Sequence, residues 1–102
     1  SAAIRERVSK ARCIQRERFK NDGIMFNAQM SSKHIKKYCA LEPDAEKLIR
    51  LSFDRLRLSA RAYDRLIKVS KTIADLAGSD LIRAEHIAEA IQLRSLDRKY
   101  WN

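Results

Sequence analysis

Residues 58–76, LSARAYDRLIKVSKTIADL, decide the fold. Tyr63, Leu66, Ile67, Ser70, Ile73, Ala74 and Ala77 recur at the three- and four-residue spacing of one α-helical face. Ala62, Val69 and Leu76 widen that face toward half the circumference, which predicts a helix at the centre of a bundle. Ser59 is placed to cap its start, and Gly78 to stop it. On a helical wheel Arg61, Arg65, Lys68 and Thr72 form one stripe on the opposite side, flanked by Asp64, Lys71 and Asp75. The i,i+4 pairs Asp64–Lys68 and Lys71–Asp75 explain much of the flank as helix solubility, with Asp75 a surface partner of Lys71. Arg61 is not explained in this way. It sits in the first turn, where a helix already carries partial positive charge, and its i+4 neighbour is Arg65, another cation. Either Arg61 is a tolerated surface residue, or it faces an anion that this chain does not contain.

Working outward, a fifth helix is expected near 84–95 with Ile87, Ala88, Ile91 and Leu93 inward and His86 bonding back to the chain at its start. The tail DRKYWN is exposed unless Trp101 docks. A third helix covers about 43–57, with Pro43 in its first turn and Ala45, Leu48, Ile49, Ser52, Phe53 and Leu56 on one face. The short link to the fourth makes the two antiparallel or sharply angled neighbours. A short second helix begins after Ser31 or Ser32 and places Ile35, Tyr38 and Cys39 inward. Ile24, Met25 and Phe26 are expected to fold back onto the core. The first helix runs near 2–20 on a stripe of Ile4, Val8, Ala11 and Ile14 or Gln15, and Asn21, Asp22 and Gly23 stop it. The fold class is all-α, a compact bundle of about five helices forming one domain over 1–102.

With 102 residues, 45% of them hydrophobic, only two glycines and one proline, the composition suits such a helical core and not a β fold. No apolar run has the length of a membrane span and nothing resembles a signal peptide, so no membrane partner is expected. The net charge of +9 makes an anionic partner plausible without choosing among nucleic acid, nucleotide phosphates and an acidic protein surface. Arg5, Arg7, Lys10, Arg12, Arg16, Arg18 and Lys20 face only Glu6 and Glu17 in the first helix. Arg5, Arg12 and Arg16 are its candidate contacts to nucleic acid or a neighbouring subunit; a solvated basic face is the competing reading. Cys13 and Cys39 lie far apart without a CxxC, and His34 and His86 are distant from them, which points to buried reduced thiols and to no metal site. There is no Gly-rich phosphate loop, GxSxG or HExxH, so the isolated domain is expected to have no catalytic residues and no cofactor of its own.

Five blocks in order carry a family resemblance: AIRERVSKARCIQRERF, FNAQMS, LSARAYDR, TIADL and HIAEAI. Together they resemble the C-terminal domain of the magnesium-chelatase-like, competence (ComM-type) AAA+ ATPases, over nearly the whole chain. The chain departs from the family's VARTIADL in reading VSKTIADL, so that Lys71 stands where the family has arginine. The resemblance implies the helical lid of a larger ATPase whose nucleotide-binding core lies upstream. ATP and Mg²⁺ are expected for the full-length protein. It implies that Arg61, the arginine of LSAR, is the sensor-2 residue reaching toward the γ-phosphate, with Arg65 a possible support. It further implies a cytoplasmic, ring-forming, hexameric motor, its competence branch resembling a DNA helicase. The alternative is a stand-alone basic helical DNA-binding module.

Overall fold

The computed structural model describes residues 1–96, which form α1 (Ala2–Phe19), a 3₁₀ turn (Asn27–Gln29), α2 (Ser32–Tyr38), α3 (Pro43–Leu56), α4 (Ala60–Leu76) and α5 (Ala84–Leu96). The all-α bundle of five helices is as the sequence predicts. Trp101 lies outside the described residues. Among these there is no strand, only an isolated parallel bridge between Leu41 and Ile82.

Helix α4 is the hub, packing against α1, the 3₁₀ turn, α2 and α5. The Ser59 hydroxyl accepts a hydrogen bond from the Ala62 amide at 3.1 Å and starts the helix. Gly78, at φ +73°, ends it, letting the Gly78 and Ser79 amides reach back to the carbonyls of Asp75 and Ala74. Leu66, Ile67, Ser70 and Ala74 are buried, and Tyr63, Val69 and Ile73 pack half-buried against the core. Three expectations for this helix are corrected. Leu76 and Ala77 are exposed, whereas Lys71 and Asp75 are only 2% and 3% exposed. A wheel built on apolar residues misses that α1 and the 3₁₀ turn lie against the polar flank and supply it with partners. The expected i,i+4 pairs give way accordingly: Lys68 donates to the Ala28 carbonyl, Lys71 to the Asp80 carbonyl, and Asp64 accepts from the Ser32 hydroxyl.

In α1 the buried positions are Ala11, Gln15 and Phe19, while Ile4, Val8 and Ile14 are exposed, Ile4 by 61%. Only the second half of α1 lies along the bundle. The first half runs past the end of α4, where Arg7, Lys10 and Ile14 line a cleft with Leu76, Ala77 and Gly78. Ile24 packs against the core, but Met25 and Phe26 turn outward, because the Gln29 side-chain oxygen holds this segment by its two backbone amides (2.8 and 3.0 Å).

Helix α3 buries Ala45, Ile49 and Ser52 and leaves Phe53 and Leu56 exposed. It packs chiefly on α5 and meets α4 through the edge-on rings of Phe53 and Tyr63 at 5.6 Å. The corner between α3 and α4 is made by Arg57, which adopts a left-handed conformation (φ 49°, ψ 51°) and closes α3 without a glycine. In α5 the inward arc is Ile87, Ala90 and Ile91; Ala88 faces out, which corrects that expectation, and Leu93, 43% exposed, lines the edge of a cleft with Val69, Ile73 and Leu76 of α4. His86 is buried, and its Nδ1 accepts the Arg83 amide at 2.9 Å, the role expected of it. Both cysteines are free thiols; Cys39 is buried as expected, whereas Cys13 is exposed on α1.

Candidate functional site

The two ends of α4 differ in kind. At its start Arg61 is exposed, one residue past the helix's first, and no ion pair or hydrogen bond engages it among the described residues. No acidic side chain occupies that first turn to offset the guanidinium and the helix dipole. Arg65, one turn on, is half-buried and has contacts of its own. Beside this end lies a cleft of about 460 Å³ lined by Arg50, Phe53, Asp54, Ala60, Tyr63 and Asp64. Its two carboxylates would repel a polyphosphate, and Arg50 is already paired with Glu46 at 2.7 Å. An anion met by Arg61 would therefore approach the outer face of α4 and not this cleft. Desolvation raises the Tyr63 hydroxyl above its ordinary pKa, so the ring is neutral there.

At the other end α4 is clamped. The Arg18 guanidinium, with a side chain 11% exposed, makes two hydrogen bonds to the Asp75 carboxylate, at 2.6 and 2.9 Å. Its geometry is the two-pronged match of a guanidinium to a carboxylate. The same guanidinium donates to the Asn27 side-chain oxygen at 2.9 Å. Asn27 in turn donates to Asp75 (2.8 Å) and to the Thr72 hydroxyl (3.1 Å), and its backbone amide donates to Gln15 (3.1 Å). Three pieces of chain, α1, the 3₁₀ turn and α4, thus meet in one polar cluster whose buried groups satisfy each other. Lys71 lies close by. Burial lowers its pKa, with repulsion from Arg18 acting in the same direction and attraction to Asp75 opposing. Burial also pushes the neighbouring Cys39 thiol up to about 11, leaving it protonated and unreactive at neutral pH.

The sequence-derived site residues do not converge. Arg61 and Asp75 are fourteen residues apart on one helix, roughly 21 Å along its axis. Because α1 is anchored at Asp75, its exposed Arg5, Arg12 and Arg16 belong to the far end of α4 from Arg61. Arg12 lines a cleft of about 360 Å³ with Val8, Phe26, Asn27, Thr72 and Leu76. Sequence reading counted Arg18 as one more surface cation and Asp75 as a surface acid, and so missed the clamp. A signal was present: Gln15 and Arg18, Asn27, and Thr72 with Asp75 stand in three of the blocks that carry the resemblance. Of the other blocks, LSAR supplies the Ser59 cap and Arg61, and HIAEAI supplies His86, Ile87 and Ala90.

Among the described residues, no group of three or more His, Cys, Asp and Glu side chains is placed to hold a metal ion. No described helix is long and apolar enough to cross a membrane.

The chain is 42% identical over 98 residues to the Haemophilus influenzae protein named Competence protein ComM, covering 96% of this chain and 18% of that protein. It is 39% identical over 98 residues to the Escherichia coli protein YifB, covering 96% and 19%. It is 30% identical over 94 residues to an uncharacterized protein of Mycobacterium tuberculosis strain H37Rv, covering 92% and 19%. It therefore spans about a fifth of the length of these relatives. Residues 1–94 match the family described as Magnesium chelatase, subunit ChlI C-terminal, and the chain belongs to it.

Proposed function

We propose that this domain is the helical lid of a magnesium-chelatase-like AAA+ ATPase, closing over ATP bound by a core elsewhere in the polypeptide, with Arg61 as the sensor of the γ-phosphate. The observation that carries the reading is the asymmetry of α4: an exposed Arg61 in the first turn with no partner among the described residues, on a helix clamped by Arg18 near its other end. A guanidinium can grip phosphate oxygens in pairs and stabilise the charge that develops as the terminal phosphoryl group departs. ATP then favours the lid orientation in which it meets Arg61, and loss of the γ-phosphate removes that differential contact. The local cost of a cation at the helix start, on the order of 0.3–1 kcal/mol, is small beside such a contact. Mg²⁺ would accompany the nucleotide on the core. Arg65 would support Arg61 from the next turn. The protein would work as a cytoplasmic ring-forming, DNA-remodelling motor; the name of its Haemophilus influenzae relative, Competence protein ComM, supports only the link to competence.

The test is Arg61→Ala in the full-length protein. We expect ATP hydrolysis to fall by tenfold or more, with Arg61→Lys recovering only part of it. Unchanged hydrolysis at saturating ATP, together with unchanged nucleotide affinity, would sink the sensor assignment. The alternative of a stand-alone DNA-binding module using Arg5, Arg12 and Arg16 is less well supported. Those arginines share their helix with exposed Ile4, Val8 and Ile14, a mixture suited to a protein surface such as a neighbouring subunit.

A further inference from the structure

We propose that the outer face of α2 is a contact surface for the phosphodiester backbone of a nucleic-acid strand, made by Lys33, Lys36 and Lys37. The three lysines are exposed and, at about 100° per residue, fall within one arc of roughly 100°. The opposite side of the helix carries the half-buried His34, Ile35 and Tyr38, with Phe19 edge-on to the His34 and Tyr38 rings. The lysine face therefore looks away from the core on a short helix that the bundle holds in place.

Helix solubility does not explain these charges. Some exposed cations elsewhere are balanced by a nearby acid in sequence: Lys10 by Glu6, Lys20 by Glu17 and Arg50 by Glu46. From Gly23 to Leu41 there is no carboxylate at all. The nearest acid at the end of α2, Asp22, accepts a hydrogen bond from the Tyr38 hydroxyl, and Asp64, at the start of α2, is engaged by Ser32. The Lys37 ammonium stands 5.0 Å from the Tyr38 ring centroid, and Tyr38 first and then the Asp22 carboxylate raise its pKa, so it stays charged; Lys33 and Lys36 have no acid between Gly23 and Leu41.

The chemistry selects the partner. The face is a convex helix surface with three compact point charges, so it suits an extended polyanion better than a small ligand, which needs enclosure. Lysine ammoniums on a convex face act as point charges toward phosphates, so binding would depend little on sequence. No exposed apolar side chain interrupts α2, in contrast to α1, which argues against a protein partner here. The surface stands independently of the nucleotide reading, since ATP takes no part in it.

Fluorescence anisotropy of this 102-residue chain with a single-stranded oligonucleotide, across a salt series, tests the proposal. Replacing all three residues (K33E, K36E and K37E) should weaken binding at least tenfold at low salt and flatten the log–log salt dependence by about 2, three contacts at about 0.7 each. Replacing them with arginine should preserve binding. The control R5E, R12E and R16E makes the same change in net charge on α1 and should have a much smaller effect. The proposal is overturned if the unaltered chain does not bind at low salt, if the α2 variant binds within twofold of it, or if the α1 variant loses as much. All six positions are exposed, and a thermal melt by circular dichroism checks that each variant is folded.

Discussion

The two ends of α4 are built from similar residues and behave oppositely. Arg61 at the start and Arg18, docked against the end, are both arginines in a strongly basic chain. Arg18 is enclosed by Asp75, Asn27 and its own helix, and its charge is spent on holding the fold together. Arg61 meets nothing among the described residues. The difference teaches that residue type and net charge alone do not separate the two; whether the protein has already supplied the counter-charge does.

Substitution can break this contrast directly. Arg18→Ala leaves the Asp75 carboxylate buried without its cation, and should cost about 3–5 kcal/mol of unfolding free energy. Arg61→Ala should change stability by no more than about 0.5 kcal/mol. Urea denaturation of the two variants measures both numbers; equal losses would abolish the distinction. Asn27→Ala removes the bridge between the clamp's halves and leaves donors and acceptors buried, for an expected loss of about 1–3 kcal/mol in the same measurement. At the exposed end, Arg57 holds a left-handed conformation that costs a non-glycine residue roughly 1–2 kcal/mol. Arg57→Gly should therefore raise stability, by about 0.5–1 kcal/mol once the added freedom of the unfolded chain is subtracted.

A finer probe of the buried end is pH. Cys39 titrates near 11 in the folded protein against an ordinary 9.0, so between those values the unfolded chain has lost a proton that the native state keeps. The unfolded state then binds fewer protons, and stability falls as pH rises. Lys71 acts with the opposite sign. Its folded pKa lies below the ordinary 10.5, so stability rises with pH until the unfolded lysine has titrated. Denaturation midpoints for the parent and Cys39→Ala from pH 9 to 11 separate the two: the variant should lose the downward component. An unchanged slope would show that Cys39 is not desolvated as described.

Much of the fold was legible because α4 states it plainly: a wide apolar arc, a serine cap and a glycine stop need only local rules. What was not legible depends on which neighbour covers which flank. Lys71 and Asp75 read as a surface pair because the wheel has no knowledge of α1, fifty-seven residues away in sequence from Arg18 to Asp75. The overhang of Ile4 and Val8 was invisible for the complementary reason, since periodicity reports a helix face and not whether anything lies opposite. The Arg57 corner carries no signal, because the expected residue there is glycine. Of the candidate site, Arg61 was found from its anomalous position in the first turn. The Arg18 clamp was not, although its residues lay within the blocks already singled out.

The bridge between Leu41 and Ile82 has an electrical consequence. Closed by the Ile82 amide on Ala40 and the Glu42 amide on Ile82, it sets the starts of α3 and α5 side by side. Two partially positive helix ends in register call for carboxylates, and these two helices have them: Asp44 and Glu46 in the first turn of α3, and Glu85 in that of α5. The first turns of α1, α2 and α4 have none. The bridge thus gathers carboxylates at one corner of a chain of net charge +9, where Arg83, paired with Glu42 at 3.5 Å, partly offsets them. A large anion approaching the domain would meet less attraction at these two helix starts than at those of α1, α2 and α4, whose first turns lack acid.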